Sequence, residues 1–183
     1  SIEDIVREIR ERNKDAKRKV EDIVRRNREE IDKVLKRVEK ILRDNEKRIR
    51  EVKEELKERV KSRDLERVEE KLERLLRESK EVFKEVEDRL RDLMRKSDEV
   101  ARRAEENIKE NIRRVEDVAR KRLDEKDLDK VRKESEDNLR EILRTLKEVH
   151  ERSKETLKRI EDTLRRVHKK SEDELRRLRE EVR

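Results

Sequence analysis

The 183-residue chain contains no glycine, proline, cysteine, tryptophan or tyrosine, and 62% of its residues are charged against 28% hydrophobic. Its 60 basic and 53 acidic residues leave a net charge of +7, with the two signs finely interleaved. These totals exclude thiol and disulfide chemistry, and apolar runs no longer than Ile5-Val6 or Leu75-Leu76 argue against a membrane span or a signal-peptide core.

Nearly every turn type and helix stop leans on glycine or proline, so their absence leaves few places for the chain to bend. A chain this charged would be disordered if its apolar residues were scattered. Here they are strictly periodic, which predicts a folded, all-α protein. Glutamates stand one helical turn before arginines at Glu8 and Arg12, Glu21 and Arg25, Glu39 and Arg43, and Glu55 and Arg59. Each such pair contributes only about 0.2–0.5 kcal/mol, and together they favour helix.

The first helix is expected from about residue 2 to 61. Its inward face reads Ile2, Val6, Ile9, Asn13, Ala16, Val20, Val24, Asn27, Ile31, Val34, Val38, Leu42, Asn45, Ile49, Val52, Leu56 and Val60. The pattern that starts at Val6 returns at Val24, and again at Leu42. That period is eighteen positions, or five whole turns and about 27 Å of helix. Because it matches the natural pitch, it predicts nearly straight helices rather than a supercoil.

Ser62-Arg63-Asp64 reads as the first break, with Asp64 as N-cap of a helix from about 65 to 123. This second helix carries the same repeat. Leu75, Leu76, Ser79, Val82, Phe83, Val86 and Leu90 return one period later as Leu93, Met94, Ser97, Val100, Ala101, Ala104 and Ile108. Asp124-Glu125-Lys126-Asp127 reads as the second break, with Asp127 capping a helix from about 128 to 182. The interval from Asp64 to Asp127 equals the interval from Ser1 to Asp64.

Short connections make successive helices antiparallel neighbours. The expected architecture is an elongated, single-domain, single-chain three-helix bundle. Residues facing each other across the first turn then have numbers that add to about 124, and across the second to about 250. Val52 and Leu72 obey the first rule, Leu72 and Leu178 the second. The polar residues on the inward faces obey them too. Asn27, Ser97 and Ser153 share one level, and Asn45, Ser79 and Ser171 another. His150 and His168 stand one turn before Ser153 and Ser171, and are expected to join these levels. A third polar level is expected at Asn13, Asn111 and Asn138, with Ser135 close by. A buried amide or hydroxyl without a partner costs roughly 1–3 kcal/mol, and three helices each supplying one polar group can satisfy one another. Such levels are expected to specify helix register.

No residue stands out as catalytic, cofactor-binding or metal-binding. His150 and His168 lie about 27 Å apart along one helix, too far to share a metal. No glycine-rich loop exists to cradle a phosphate. Although the pI is about 9.5, acidic residues interrupt the basic clusters, and the one aromatic, Phe83, falls on the inward face. That argues against specific nucleic-acid binding, and the narrow apolar stripes argue against a membrane-surface helix.

The absence of glycine and proline, the five-turn repeat, the Ser, Asn and His residues at matched levels, and surface stretches such as Arg77 to Glu87 together resemble one family along the whole chain. That family is the de novo designed helical bundles built parametrically with modular buried hydrogen-bond networks. The resemblance implies a heat-stable scaffold without natural activity, cofactor or required partner, monomeric in the leading reading and homo-oligomeric in another. Some members carry buried histidine and respond to pH, so a pH-responsive or self-assembling interaction module stands as the alternative.

Overall fold

A computed structural model describes residues 1–122 and 124–182. It consists of three long helices, α1 (Ile2–Arg59), α2 (Ser62–Arg120) and α3 (Glu125–Glu181), with no strand among the described residues. The three-helix bundle read from the sequence is the observed fold. The expected end of the second helix at residue 123 lies outside the described residues.

Every residue of the inward face predicted for α1 is buried or half-buried. The repeat in α2 also keeps its burial. Ser79 and Ser97, Phe83 and Ala101, Val86 and Ala104, and Leu90 and Ile108 are buried as pairs, and only Leu75 and Leu93 differ in class. The helix ends suit the macrodipole. Acidic residues open all three helices, at Glu3 and Asp4, Asp64, and Glu125 and Asp127, and arginines stand in the last turns at Arg59, Arg120 and Arg179.

The breaks differ in detail from the sequence reading. α2 begins at Ser62, not after Asp64, because only Val60 and Lys61 separate it from α1. The Lys61 carbonyl accepts the amides of Asp64 and Leu65 at 2.9 and 3.1 Å. Lys61 is therefore the capping position, and Asp64 lies one turn inside. The same shift recurs at α3. The Asp124 carboxylate accepts the Asp127 amide at 3.0 Å, so Asp124 is the N-cap and Asp127 belongs to the first turn. At α1 the Ser1 hydroxyl accepts the Asp4 amide at 3.3 Å and donates to the Asp4 carboxylate at 2.8 Å. The equivalent acids are thus Asp4, Asp64 and Asp127. Their spacing is uneven because the second connection is longer than the first and α2 is one residue longer than α1. In that longer turn, Arg122 adopts a left-handed conformation with φ of 47°, where glycine usually closes a helix.

The chain divides into two compact units, Ser1–Glu30 with Leu93–Lys154, and Ile31–Asp92 with Glu155–Arg183. Each draws on all three helices. In the first unit, Ala16 and Val20 of α1, Ala104 and Ile108 of α2, and Leu139, Ile142 and Leu146 of α3 form one apolar cluster. Val6, Ile9, Val115 and Leu128 form another beside the second connection. In the second unit, Ile49, Val52 and Leu56 pack with Val68, Leu72 and Leu75 and with Leu175 and Leu178. Val52 and Leu72, and Leu72 and Leu178, join the same cluster as the numbering rules require.

Ion pairs follow the same geometry. Between α1 and α3, which run parallel, Glu8 pairs with Arg132 and Arg12 with Glu136 in the first unit. In the second, Arg37 pairs with Glu161, Arg48 with Glu172 and Glu55 with Arg179. All five partners lie 124 positions apart. Within helices, Glu8–Arg12 and Glu55–Arg59 form as predicted, at 3.7 Å each. Arg25 instead meets Asp22, at 3.0 Å.

Candidate functional site

The polar levels are built by helix faces that are otherwise apolar, so each polar atom there has lost water and must find a partner within the protein. In the second unit it does. Asn45 Nδ2 donates to Ser79 Oγ at 2.5 Å, and Ser171 Oγ donates to Asn45 Oδ1 at 2.8 Å. The three residues are 2%, 3% and 2% exposed. One amide on α1 thus uses its donor toward α2 and its acceptor toward α3, joining three helices through one side chain.

The matching level in the first unit is only half closed. Asn27 Nδ2 donates to Ser97 Oγ at 3.0 Å. Asn27 Oδ1 and Ser153 Oγ are buried with no partner, although Asn27 and Ser153 are each only 2% exposed.

The third level forms as a chain of donors. Asn138 Nδ2 donates to Asn111 Oδ1 at 3.0 Å, and Asn111 Nδ2 to Asn13 Oδ1 at 3.1 Å. Asn13 Nδ2 donates in turn to Ser135 Oγ at 2.9 Å and to the Ile9 carbonyl at 2.8 Å. The residue from α3 that is buried here is Ser135, while Asn138 is exposed and reaches Asn111 from the rim. Asn138 is therefore not a core member, as the sequence reading had it. A signal for Ser135 was present. It stands one full repeat before Ser153, as Ser153 stands one full repeat before Ser171. Asn13 and Asn111 are offset from Asn27 and Ser97 by one turn less than a repeat, so this level steps along α3 by one turn.

The histidines depart further from expectation. His168 is exposed and borders an open groove lined by Arg37, Ile41, Asp44, Glu161, Leu164 and Arg165. His150 is half-buried with Nδ1 enclosed and unpartnered. Neither joins the Asn–Ser bonds. Three residues before the inward serines, the histidines stand beside the buried stripe, whose place there is taken by the half-buried Val149 and Val167.

Charge chemistry is sparse. Among the described residues no group of three or more His, Cys, Asp or Glu side chains is placed to hold a metal. Among the described residues no helix is long and apolar enough to cross a membrane. The Asp4 carboxyl has a displaced pKa. Asp4 is lowered by its hydrogen bond from Ser1 and then by the nearby terminal amine. That is a helix cap, not a reacting pair. The chain matches no known family, no curated protein and no solved structure.

Proposed function

We propose that this chain is a structural scaffold, designed rather than evolved and without natural biochemical activity, in which the buried Asn–Ser levels select which turns of the three helices meet. The observation that carries this reading is the closed level of Asn45, Ser79 and Ser171, where each helix contributes one buried group and one amide links all three. A geometry of that kind contributes little net stability and much selectivity, because any other pairing strands a polar atom among apolar ones.

The levels of Asn27 and Asn45 share the five-turn period of the apolar face, so they do not reject a slip of one full repeat by themselves. Two aperiodic features support the same reading by doing so. One is the stepped level of Asn13, Asn111 and Ser135. The other is the α1–α3 ion-pair ladder. Moving α3 by one repeat in one direction would bring Lys154 to Arg12 and Arg179 to Arg37. Moving it the other way would bring Glu161 to Glu55. Each of these three contacts sets like charges together where the native register sets opposite ones, which costs about as much as a native pair contributes.

Replacing Asn27, Asn45, Ser79, Ser97, Ser153 and Ser171 together by apolar residues tests the proposal. The expected result is an unchanged or raised Tm with additional oligomeric or misregistered species in size exclusion coupled to light scattering. A variant that remains one monomeric species would overturn it.

A further inference from the structure

Among its described residues, the first unit contains three buried side-chain atoms that lack partners, Asn27 Oδ1, Ser153 Oγ and His150 Nδ1. Register places them together. Asn27 and Ser153 belong to one level, and His150 lies one turn before Ser153 on α3. Their counterparts in the second unit behave differently. There, Ser171 Oγ reaches Asn45 Oδ1 directly at 2.8 Å, and His168 is exposed.

The neighbours of the two levels differ. The repeat makes Ala101 the counterpart of Phe83 and Val24 the counterpart of Leu42. Phe83, 1% exposed, fills the space one turn from Ser79. Ala101, one turn from Ser97, carries a methyl where Phe83 carries a phenyl ring, and Val24 is one methylene smaller than Leu42. In this level the His150 Nδ1 is enclosed, and it, Asn27 Oδ1 and Ser153 Oγ do not bond to one another.

We propose that this level of the first unit is a binding site for a single water molecule held by Asn27, Ser153 and His150. The water donates one hydrogen to Asn27 Oδ1 and the other to His150 Nδ1, and accepts the Ser153 hydroxyl hydrogen. Three bonds are the usual complement of an interior water, and such waters occupy sites that are both polar and roomy. The proposal is independent of any scaffold role. It predicts one wet level and one dry level in a chain whose two copies of the repeat look alike in sequence.

The test uses the full chain, isotopically labelled. Rotating-frame Overhauser spectra should show cross-peaks from water to the Asn27 side-chain amide and the His150 ring Hε1, and none to the Asn45 amide. Oxygen-17 relaxation dispersion reports water itself and ignores exchanging hydroxyl protons. Ala101→Phe, checked for folding by circular dichroism, should lower the number of long-lived waters by one. Missing cross-peaks at Asn27 and His150, or equal ones at Asn27 and Asn45, would overturn the proposal in the unmodified chain alone. So would a folded Ala101→Phe variant with an unchanged count of long-lived waters.

Discussion

Removing one hydroxyl from the closed level should cost more than removing the whole level. In Ser171→Ala, Asn45 Oδ1 loses the donor it holds at 2.8 Å, and at 2% exposure the residue has almost no access to water in exchange. Stranding such an acceptor costs about 1–3 kcal/mol. Alanine recovers about 0.5 kcal/mol of helix propensity relative to serine. The net expectation is a loss of about 0.5–2.5 kcal/mol, or a Tm lower by about 1–10 °C at the roughly 2–4 °C per kcal/mol typical of a chain this long. The triple variant Asn45→Leu, Ser79→Ala, Ser171→Ala strands nothing. It adds a buried leucine, worth about 1.5–3 kcal/mol against its exposed state, and two better helix formers. It should be as stable as the parent or more so, despite carrying three changes. Guanidinium unfolding followed by helical circular dichroism, with unchanged slope, measures both. If the triple variant falls as far as the single one, the level is a source of net stability and the selectivity argument fails. If Ser171→Ala is neutral, the bond it removes has no energetic weight.

Further outcomes follow from particular positions. Phe83 is the largest fully buried side chain, and Phe83→Ala should lower unfolding free energy by about 3–5 kcal/mol, read by the same denaturation. Asp124→Ala removes the cap that holds the Asp127 amide and should cost about 1 kcal/mol, with faster amide exchange confined to the start of α3. Arg122 sits at a φ of 47°, a conformation that costs an L-residue with a Cβ about 1–2 kcal/mol. Arg122→Gly relieves that strain and gives part of the gain back as entropy of the unfolded chain, for a net rise of about 0.5–1 kcal/mol in denaturation. Asp4 has its pKa lowered in the folded chain. Its contribution is present above the unfolded value of 3.8 and is lost as pH falls through the folded value. The Asp4 carboxyl should therefore titrate by carbon-detected NMR below the unfolded value in the parent, and nearer to it in Ser1→Ala.

Much of the core was legible because burial in a helix is periodic and the period survives in one dimension. The α1 face from Val6 to Leu56, and the pairing of Asn45 with both Ser79 and Ser171, needed only helical spacing and two bends. The caps were legible as a signature and displaced as an assignment. Aspartate at a helix start stabilises either the capping position or the first turn. Only the length of each connection decided that Lys61 and Asp124 cap while Asp64 and Asp127 sit inside. Ser135 and Asn138 are one turn apart on α3, so spacing alone admits both near the Asn13 level.

By itself, then, the sequence determined three helices, their inward faces and which numbers meet across each bend. Those follow from rise, pitch and the separation of apolar from charged residues, which neighbouring helices cannot alter. Tertiary structure decided which polar atoms find partners. Asn27 and Asn45 occupy equivalent places in one repeat, yet Asn45 Oδ1 is bonded and Asn27 Oδ1 is not. A hydrogen bond tolerates only a few tenths of an ångström, and the two levels differ in the side chain one turn away, a phenyl ring at position 83 and a methyl group at 101.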